Sequence, residues 1–151
     1  MLWLDGGDMG VIGSYLMPFN IFSGSRDGNG LAAALTNPTC LSKRKGTIQQ
    51  QYPVFFRGRV WPDAETAYLT LSAKGMPVEN DRLMIDIIEA KLYQHPRLGY
   101  TLTKLGGVDF LRKCTHYTYA KSDRFQQWEG YGEESRFIRN LIAAYQAWAN
   151  A

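Results

Sequence analysis

The residues best suited to chemistry in this chain are two carboxylates with aromatic rings and arginines to serve them: Glu65 and Asp123, with Trp61 and Trp128, and with Arg26 and Arg136. Cleavage of a glycosidic bond passes through an oxocarbenium-like state, with positive charge spread over the sugar C1 and ring oxygen. A fixed carboxylate stabilises that charge or orients the attacking water. An indole such as that of Trp61 or Trp128 stacks a base or ring leaving group and excludes water, and an arginine pairs with phosphate. The same residues have plainer uses. Glu65 falls in the first turn of an expected helix, where an acid complements the helix dipole. Asp123 reads equally as a cap or a surface acid, and Trp128 as a core residue.

Other chemistries find less support. His95 and His116 lie apart, each without a cysteine or carboxylate in ligand spacing, so no metal site is expected. There is no G-x-S-x-G elbow, no Walker motif and no dinucleotide-binding glycine fingerprint, and hence no expected cofactor. The stretch Ser23-Gly24-Ser25-Arg26-Asp27-Gly28-Asn29-Gly30 is either a turn or a phosphate cradle, with Ser25 and Arg26 the ligand-facing candidates. Lys43-Arg44-Lys45, followed by Gln49-Gln50-Gln51, reads as an exposed, mobile basic loop. It is either merely solvated or a clamp on a nucleic-acid or pyrophosphate backbone.

The elements that must position these residues follow from spacing. Val54, Phe55 and Phe56 suit a half-buried strand, and Gly58 a tight turn. Asp63 caps a helix whose apolar stripe is Ala64, Ala67, Tyr68 and Leu71, closed by Gly75. A second helix is expected over about 80–93, capped by Asn80, and a third from Pro96 to Gly106-Gly107. Tyr117-Thr118-Tyr119 suits a short strand, and a last helix spans about 133–148. Near the start, Val11-Ile12 and Tyr15-Leu16-Met17 read as short strands between glycine turns. The expected fold class is mainly α with a few short strands (α+β), in a single domain over 1–151.

Composition sets the bounds. The net charge of +3 tolerates phosphate-bearing ligands without arguing for nucleic acid by itself. Cys40 and Cys114 are far apart and read as free thiols of a reducing compartment. No apolar run approaches the roughly twenty residues of a membrane span. Asp5 and Asp8 interrupt the short apolar start, so no signal peptide is expected and the chain reads as cytoplasmic.

One stretch resembles a known family. Gly58-Arg59-Val60-Trp61-Pro62-Asp63-Ala64-Glu65-Thr66-Ala67-Tyr68 looks like the G-K-x-(W/Y)-P-(T/S)-x-E-H-x-(Y/F) signature of the NADAR family. Lys91 to Leu98 is similar to that family's K-x-x-Q-(N/H)-x-x-L segment. Asp123 to Gly132, with Trp128, resembles its D-x-x-W-G-x-G stretch, with altered spacing at Gln126-Gln127 and Tyr131. The likeness covers most of residues 20–147 and is specific around 58–68 and 91–98. Relative to the family pattern, 39–53 is an insertion, and Ala32-Ala33-Ala34-Leu35 replaces its F-S-N-F step.

The resemblance implies an N-glycosidase acting on ADP-ribosyl-guanine or on a ribose-phosphate adduct, without a cofactor. Glu65 matches the family glutamate, Trp61 the aromatic before proline and Tyr68 the later aromatic. Three positions depart: Thr66 replaces a histidine, Ser72 a frequent lysine and Ser135 an asparagine before Arg136. Lys74, close to Ser72, is the candidate to take over that lysine's work. The expected partner is a nucleotide-like small molecule or ADP-ribosylated nucleic acid. The second expectation, of a different class, is an inactive relative that binds or sequesters an ADP-ribose-like nucleotide. Either way, Glu65, Trp61, Trp128 and Arg136 are expected to line one pocket.

Overall fold

Runs of leucine and isoleucine at helical spacing define the two longest helices, and the rest of the chain packs around them. The computed structural model describes residues 11–12, 15–119 and 122–151. In chain order come β1 (Val11–Ile12), β2 (Tyr15–Leu16), a 3-10 turn at Asp27–Gly30, α1 (Leu31–Ala34) and α2 (Thr39–Lys45). A hairpin follows, β3 (Val54–Phe56) and β4 (Arg59–Trp61), then α3 (Ala64–Leu71), α4 (Pro77–Gln94), α5 (Pro96–Leu105) and α6 (Val108–Leu111). Last are β5 (Thr115–His116), α7 (Asp123–Gln126), β6 (Gly130–Tyr131), a 3-10 turn at Gly132–Glu134 and α8 (Arg136–Ala149). Among the described residues the strands pair as three antiparallel ladders: β1 with β2, β3 with β4, and β5 with β6. The architecture is mainly helical with short strands.

Helices α4 and α8 share the most extensive contact in the molecule. Leu83, Met84, Ile87, Ile88 and Leu92 are the buried side of α4, and Phe137, Ile138, Leu141, Ile142 and Tyr145 that of α8. Each such side chain contributes roughly 1.5–3 kcal/mol on leaving water. Leu98, Leu102 and Leu105 of α5 extend the same core, which also takes in Phe19, Ile21 and all of α1. Gly99 is required where α5 meets the end of α8, since a Cβ there would stand 2.5 Å from the Trp148 ring.

A smaller core sits between the hairpin, α3 and α4, made by Val54, Trp61, Ala64, Ala67, Leu83 and Ile87. The hairpin register pairs Val54 with Trp61 and Phe56 with Arg59. Its two turn residues, Arg57 and Gly58, have φ of 52° and 75°, the doubly left-handed turn that matches strand twist. The end of α4 ties the hairpin down. The Gln94 amide binds the Phe55 backbone in both directions, accepting its N–H at 2.7 Å and donating to its carbonyl at 2.9 Å. His95 Nε2 donates to the Pro53 carbonyl at 2.7 Å.

Several boundaries differ from the sequence reading. Helix α3 ends at Leu71, with Ser72 already extended, so Gly75 serves the turn into α4 and does not close α3. Helix α4 begins at Pro77, and Asn80 lies inside it. Its side chain instead clamps the turn, with Nδ2 donating to the Ala73 carbonyl and Oδ1 accepting the Ala73 N–H. Residues 117–119 form no strand; the pairing falls on Thr115–His116, because Thr115 donates its N–H to the Phe19 carbonyl and its carbonyl accepts the Ile21 N–H. Residues 39–45, read as part of an exposed loop, are helix α2, held by buried Thr39 and Ser42. Helix α8 starts at Arg136, capped by Ser135, whose hydroxyl accepts the Ile138 N–H. The turns expected at Gly6, Gly7, Gly10 and Gly13 lie outside the described residues. Among those described, no helix is long and apolar enough to cross a membrane.

Candidate functional site

A cavity of about 380 Å³ opens where the start of α3 meets α2 and the 115–128 segment. Glu65, Tyr68 and Leu69 enter it from α3, and Leu41 and Lys45 from α2. Phe22 and Ser23 come from the turn before α1, and Thr36, Asn37 and Pro38 from the loop after it. Met84, His116, Thr118, Trp128 and Phe137 complete the wall. The volume falls at the lower end of ligand pockets, roughly 300–1,000 Å³.

Glu65 is placed by a network that begins at Asp63. That buried carboxylate caps two helices at once. Oδ1 accepts the Thr66 N–H at 2.9 Å and its hydroxyl at 2.8 Å, and Oδ2 accepts the Cys40 N–H of α2 at 3.0 Å. The Glu65 N–H donates to the Asn37 carbonyl at 3.1 Å, which also takes the Thr39 N–H at 2.9 Å. So the first turn of α3 and the 36–39 loop form one unit.

The floor of that loop rests on Lys91. Its ammonium, on the buried side of α4, donates to the carbonyls of Ala34 at 2.6 Å and Thr36 at 2.7 Å. The Thr36 and Ser42 hydroxyls donate to the Ala33 carbonyl at 2.7 and 3.2 Å. Burial draws the Lys91 ammonium down to about 7, with the Asp63 carboxylate acting in the opposite sense. Every one of these bonds serves backbone. Asn37 Oδ1, by contrast, is buried at the cavity with no partner. A buried acceptor without a donor is costly, and a ligand N–H or O–H reaching it would supply one.

Aromatic rings make the walls. Tyr68 and Trp128 meet edge to face, ring centres 5.8 Å apart. Burial raises the Tyr68 hydroxyl above its ordinary pKa, so it stays protonated near neutrality. Trp128 is fixed from behind. The Arg136 guanidinium lies 4.0 Å from its ring centre and is itself held by Asp81 at 2.6 Å and by the carbonyl of Pro77. The Trp128 carbonyl accepts the Ser135 hydroxyl.

Polar groups gather where Phe22 and α2 approach. Lys45 Nζ donates to Ser23 Oγ at 2.6 Å, and among the described residues no carboxylate pairs with it. His116 stacks on Phe137 with ring centres 4.6 Å apart, and its Nδ1 is 2.5 Å from the Ile21 carbonyl. A carbonyl only accepts, so Nδ1 carries the proton and Nε2 is the acceptor of the neutral ring. Burial pulls the His116 pKa below the ordinary value and favours that neutral form.

The expected site residues therefore separate. Glu65, Tyr68 and Trp128 line one cavity. Trp61 does not reach it: strand alternation turns the indole into the smaller core, where Nε1–H donates to the Phe56 carbonyl at 3.1 Å. Arg136 acts behind Trp128 and not on the cavity. Asp123 is exposed at the start of α7, and Lys74 is exposed in the turn after α3, both away from the lining. Ser25 is buried with its hydroxyl accepting the Asp27 N–H, and Arg26 is exposed; Ser23 is the loop residue on the cavity. Asn37 carries no sequence signal as a ligand contact, His116 is considered above only as a metal ligand, and Lys45 only within the Lys43-Arg44-Lys45 stretch, as a solvated loop or a clamp on a nucleic-acid or pyrophosphate backbone.

No protein-family model matches the chain, and no curated protein or solved structure matches it either.

Two expectations arise here. Asn37→Ala should weaken a ligand that fills this cavity by roughly 3- to 10-fold, the worth of one hydrogen bond, with little loss of stability because Oδ1 bonds nothing in the protein. Calorimetric titration alongside thermal unfolding checks this; unchanged affinity with a large stability loss would make Asn37 structural. The second concerns pH. His95, His116 and Lys91 all bind protons less readily folded than unfolded, so stability falls on acidification: through the ordinary histidine range for the first two, and between about 10.5 and 7 for Lys91. Tyr52 and Cys114, both pushed up to about 12 by burial, act oppositely at alkaline pH, since the unfolded chain loses those protons first. Urea unfolding should show greatest stability near roughly pH 9 and a decline towards pH 5. A profile that rises towards acid would contradict the placement of these groups.

Proposed function

We propose that this chain hydrolyses an N-glycosidic bond in an ADP-ribosyl adduct such as guanine-ADP-ribose, or in a ribose-phosphate adduct, with Glu65 as the central carboxylate. The observation that carries the reading is Glu65 beside the Tyr68 and Trp128 rings in a cavity that also holds the Lys45 ammonium, bonded to Ser23 and without a carboxylate partner among the described residues. In this scheme the rings stack the base or pyrimidine leaving group and exclude water. Lys45, with Ser23, takes a phosphate, and Asn37 Oδ1 accepts a sugar hydroxyl or an amine. Glu65 stabilises positive charge developing at the sugar C1 or orients the attacking water. Neutral His116 offers Nε2 as a further acceptor for a hydroxyl or water. The reaction needs no cofactor, and the resemblance of residues 58–68 and 91–98 to the NADAR family supports it independently. We place the activity in the cytoplasm, where Cys40 and Cys114 remain thiols.

One observation favours a second reading. Glu65 is the sole carboxylate among the described lining residues, with Asp123 and Lys74 both outside. A cavity with one acid and several aromatic rings also suits a protein that binds and sequesters an ADP-ribose-like nucleotide without turnover. Mass-spectrometric assay of an oligonucleotide carrying ADP-ribosyl-guanine, and of a phosphoribosyl-aminopyrimidine, separates the two. Release of ADP-ribose or ribose 5-phosphate supports the hydrolase and names its substrate. Binding without release supports the sequestering protein, and neither binding nor release removes both.

A further inference from the structure

Helix α2 has a second cavity on its other flank, of about 400 Å³, lined by Thr39, Cys40, Lys43, Arg44, Gln51 and Tyr52. Helical spacing keeps the two apart. Leu41 and Lys45 share the face towards Glu65, whereas Cys40, Lys43 and Arg44 share the opposite one.

The chemistry of this second cavity is one-sided. Among the described residues, hydroxyls, an amide, the Cys40 thiol and two cations line it, and no carboxylate does. Among the described residues, neither Lys43 nor Arg44 has an ion-pair partner. The positive charge of Arg97 also bears on the Tyr52 hydroxyl. The Asp63 carboxylate, whose charge acts on Cys40, is buried, with its oxygens engaged by Thr66 and the Cys40 N–H. The Cys40 thiol is turned to the Pro62 carbonyl.

A second observation points to a ligand. Thr39 is 1% exposed, and its Oγ1 has no hydrogen-bond partner. A buried hydroxyl without a partner is rare in folded proteins, and here it stands on a cavity rimmed by two uncompensated cations. An incoming oxyanion answers both, since it accepts from the hydroxyl and neutralises the charge.

We propose that this cavity is a phosphate-binding site, distinct from the Glu65 cavity, in which the Thr39 hydroxyl donates to a phosphate oxygen between Lys43 and Arg44. The phosphate belongs either to a small phosphorylated molecule or to the backbone of a nucleic-acid strand laid across α2. The site does not depend on the glycosidase reading.

The test is titration of the full chain at low salt with inorganic pyrophosphate by calorimetry, and with a short fluorescein-labelled oligothymidylate by anisotropy. Four proteins are compared: wild type, the double variant Lys43→Ala/Arg44→Ala, Thr39→Val and Lys45→Ala. The double variant should lose at least about tenfold in pyrophosphate affinity, as expected for two charge-assisted contacts. Thr39→Val should lose roughly threefold, with a melting temperature unchanged or raised, because the removed hydroxyl bonds nothing in the protein. Lys45→Ala reports the Glu65 cavity, where Lys45 is proposed to take a phosphate, and should leave intact the binding that Lys43→Ala/Arg44→Ala removes. Oligonucleotide binding displaced by pyrophosphate assigns the phosphate to a nucleic-acid backbone, and pyrophosphate binding alone assigns it to a small molecule. No binding of either probe by wild type overturns the proposal, as does a loss confined to Lys45→Ala, which would place the anion in the Glu65 cavity. A Glu65→Gln protein that is inactive yet binds pyrophosphate normally keeps the two readings separate.

Discussion

Glu65→Gln is expected to lower turnover of the N-glycosidic substrate by at least about 100-fold while leaving its binding within a few-fold of wild type. Loss of one preorganised charge at a reacting centre typically costs roughly 10²–10³ in kcat. Glutamine matches glutamate in shape, and the N–H that residue 65 donates to the Asn37 carbonyl is backbone and stays in place. The fold should therefore survive, and the effect should fall on kcat and not on KM. Asp123→Asn is the control, since that residue is exposed in α7 away from the cavity, and it should turn over like wild type. Single-turnover kinetics on both variants decide the matter. Full activity in Glu65→Gln would end the hydrolase reading at this carboxylate, and a comparable loss in Asp123→Asn would move the site.

The largest stability effect is expected at Lys91. Lys91→Met retains most of the apolar stem but deprives the Ala34 and Thr36 carbonyls of their donor at once. Each buried carbonyl left unpaired costs about 1–3 kcal/mol, and Asp63 loses the cation that faces it. A loss of about 3–5 kcal/mol in urea unfolding is expected. Ligand affinity should fall as well, because the loosened loop carries Asn37, whose carbonyl holds the start of α3. Lys104→Met, at an exposed position of α5, should stay within about 0.5 kcal/mol of wild type. A Lys91 variant as stable as the Lys104 one would mean that the buried ammonium anchors nothing.

The lysine illustrates how much of the site was open to a sequence reader. Within α4 it stands among Ile87, Ile88 and Leu92, where a lysine at helical spacing could as well edge a buried face. Its partners, the carbonyls of residues 34 and 36, are more than fifty positions away. Trp61 shows the converse. An aromatic beside a glutamate in sequence suggested a shared pocket, yet a strand sends alternate residues to opposite faces, and Trp61 fell on the buried one. Arg136, expected on the pocket, stands behind the Trp128 ring as its support and is not among the described lining residues.

What the sequence determined by itself is local. Asp63 as a cap, the turn at Gly58, Pro96 at a helix start and the apolar stripes of α4, α5 and α8 all follow from interactions within a few residues, whose geometry the backbone dictates. So does the mainly helical class, because those stripes outnumber the alternating runs. Only the tertiary structure decided which polar groups share a space. Glu65, Asn37, Lys45, His116 and Trp128 come from five separate segments, and their meeting depends on the Asp63 and Lys91 bonds that lock the 34–40 loop against α3 and α4. Such long-range pairings leave no periodic trace, since one hydrogen bond between distant residues constrains geometry without constraining the residues next to it.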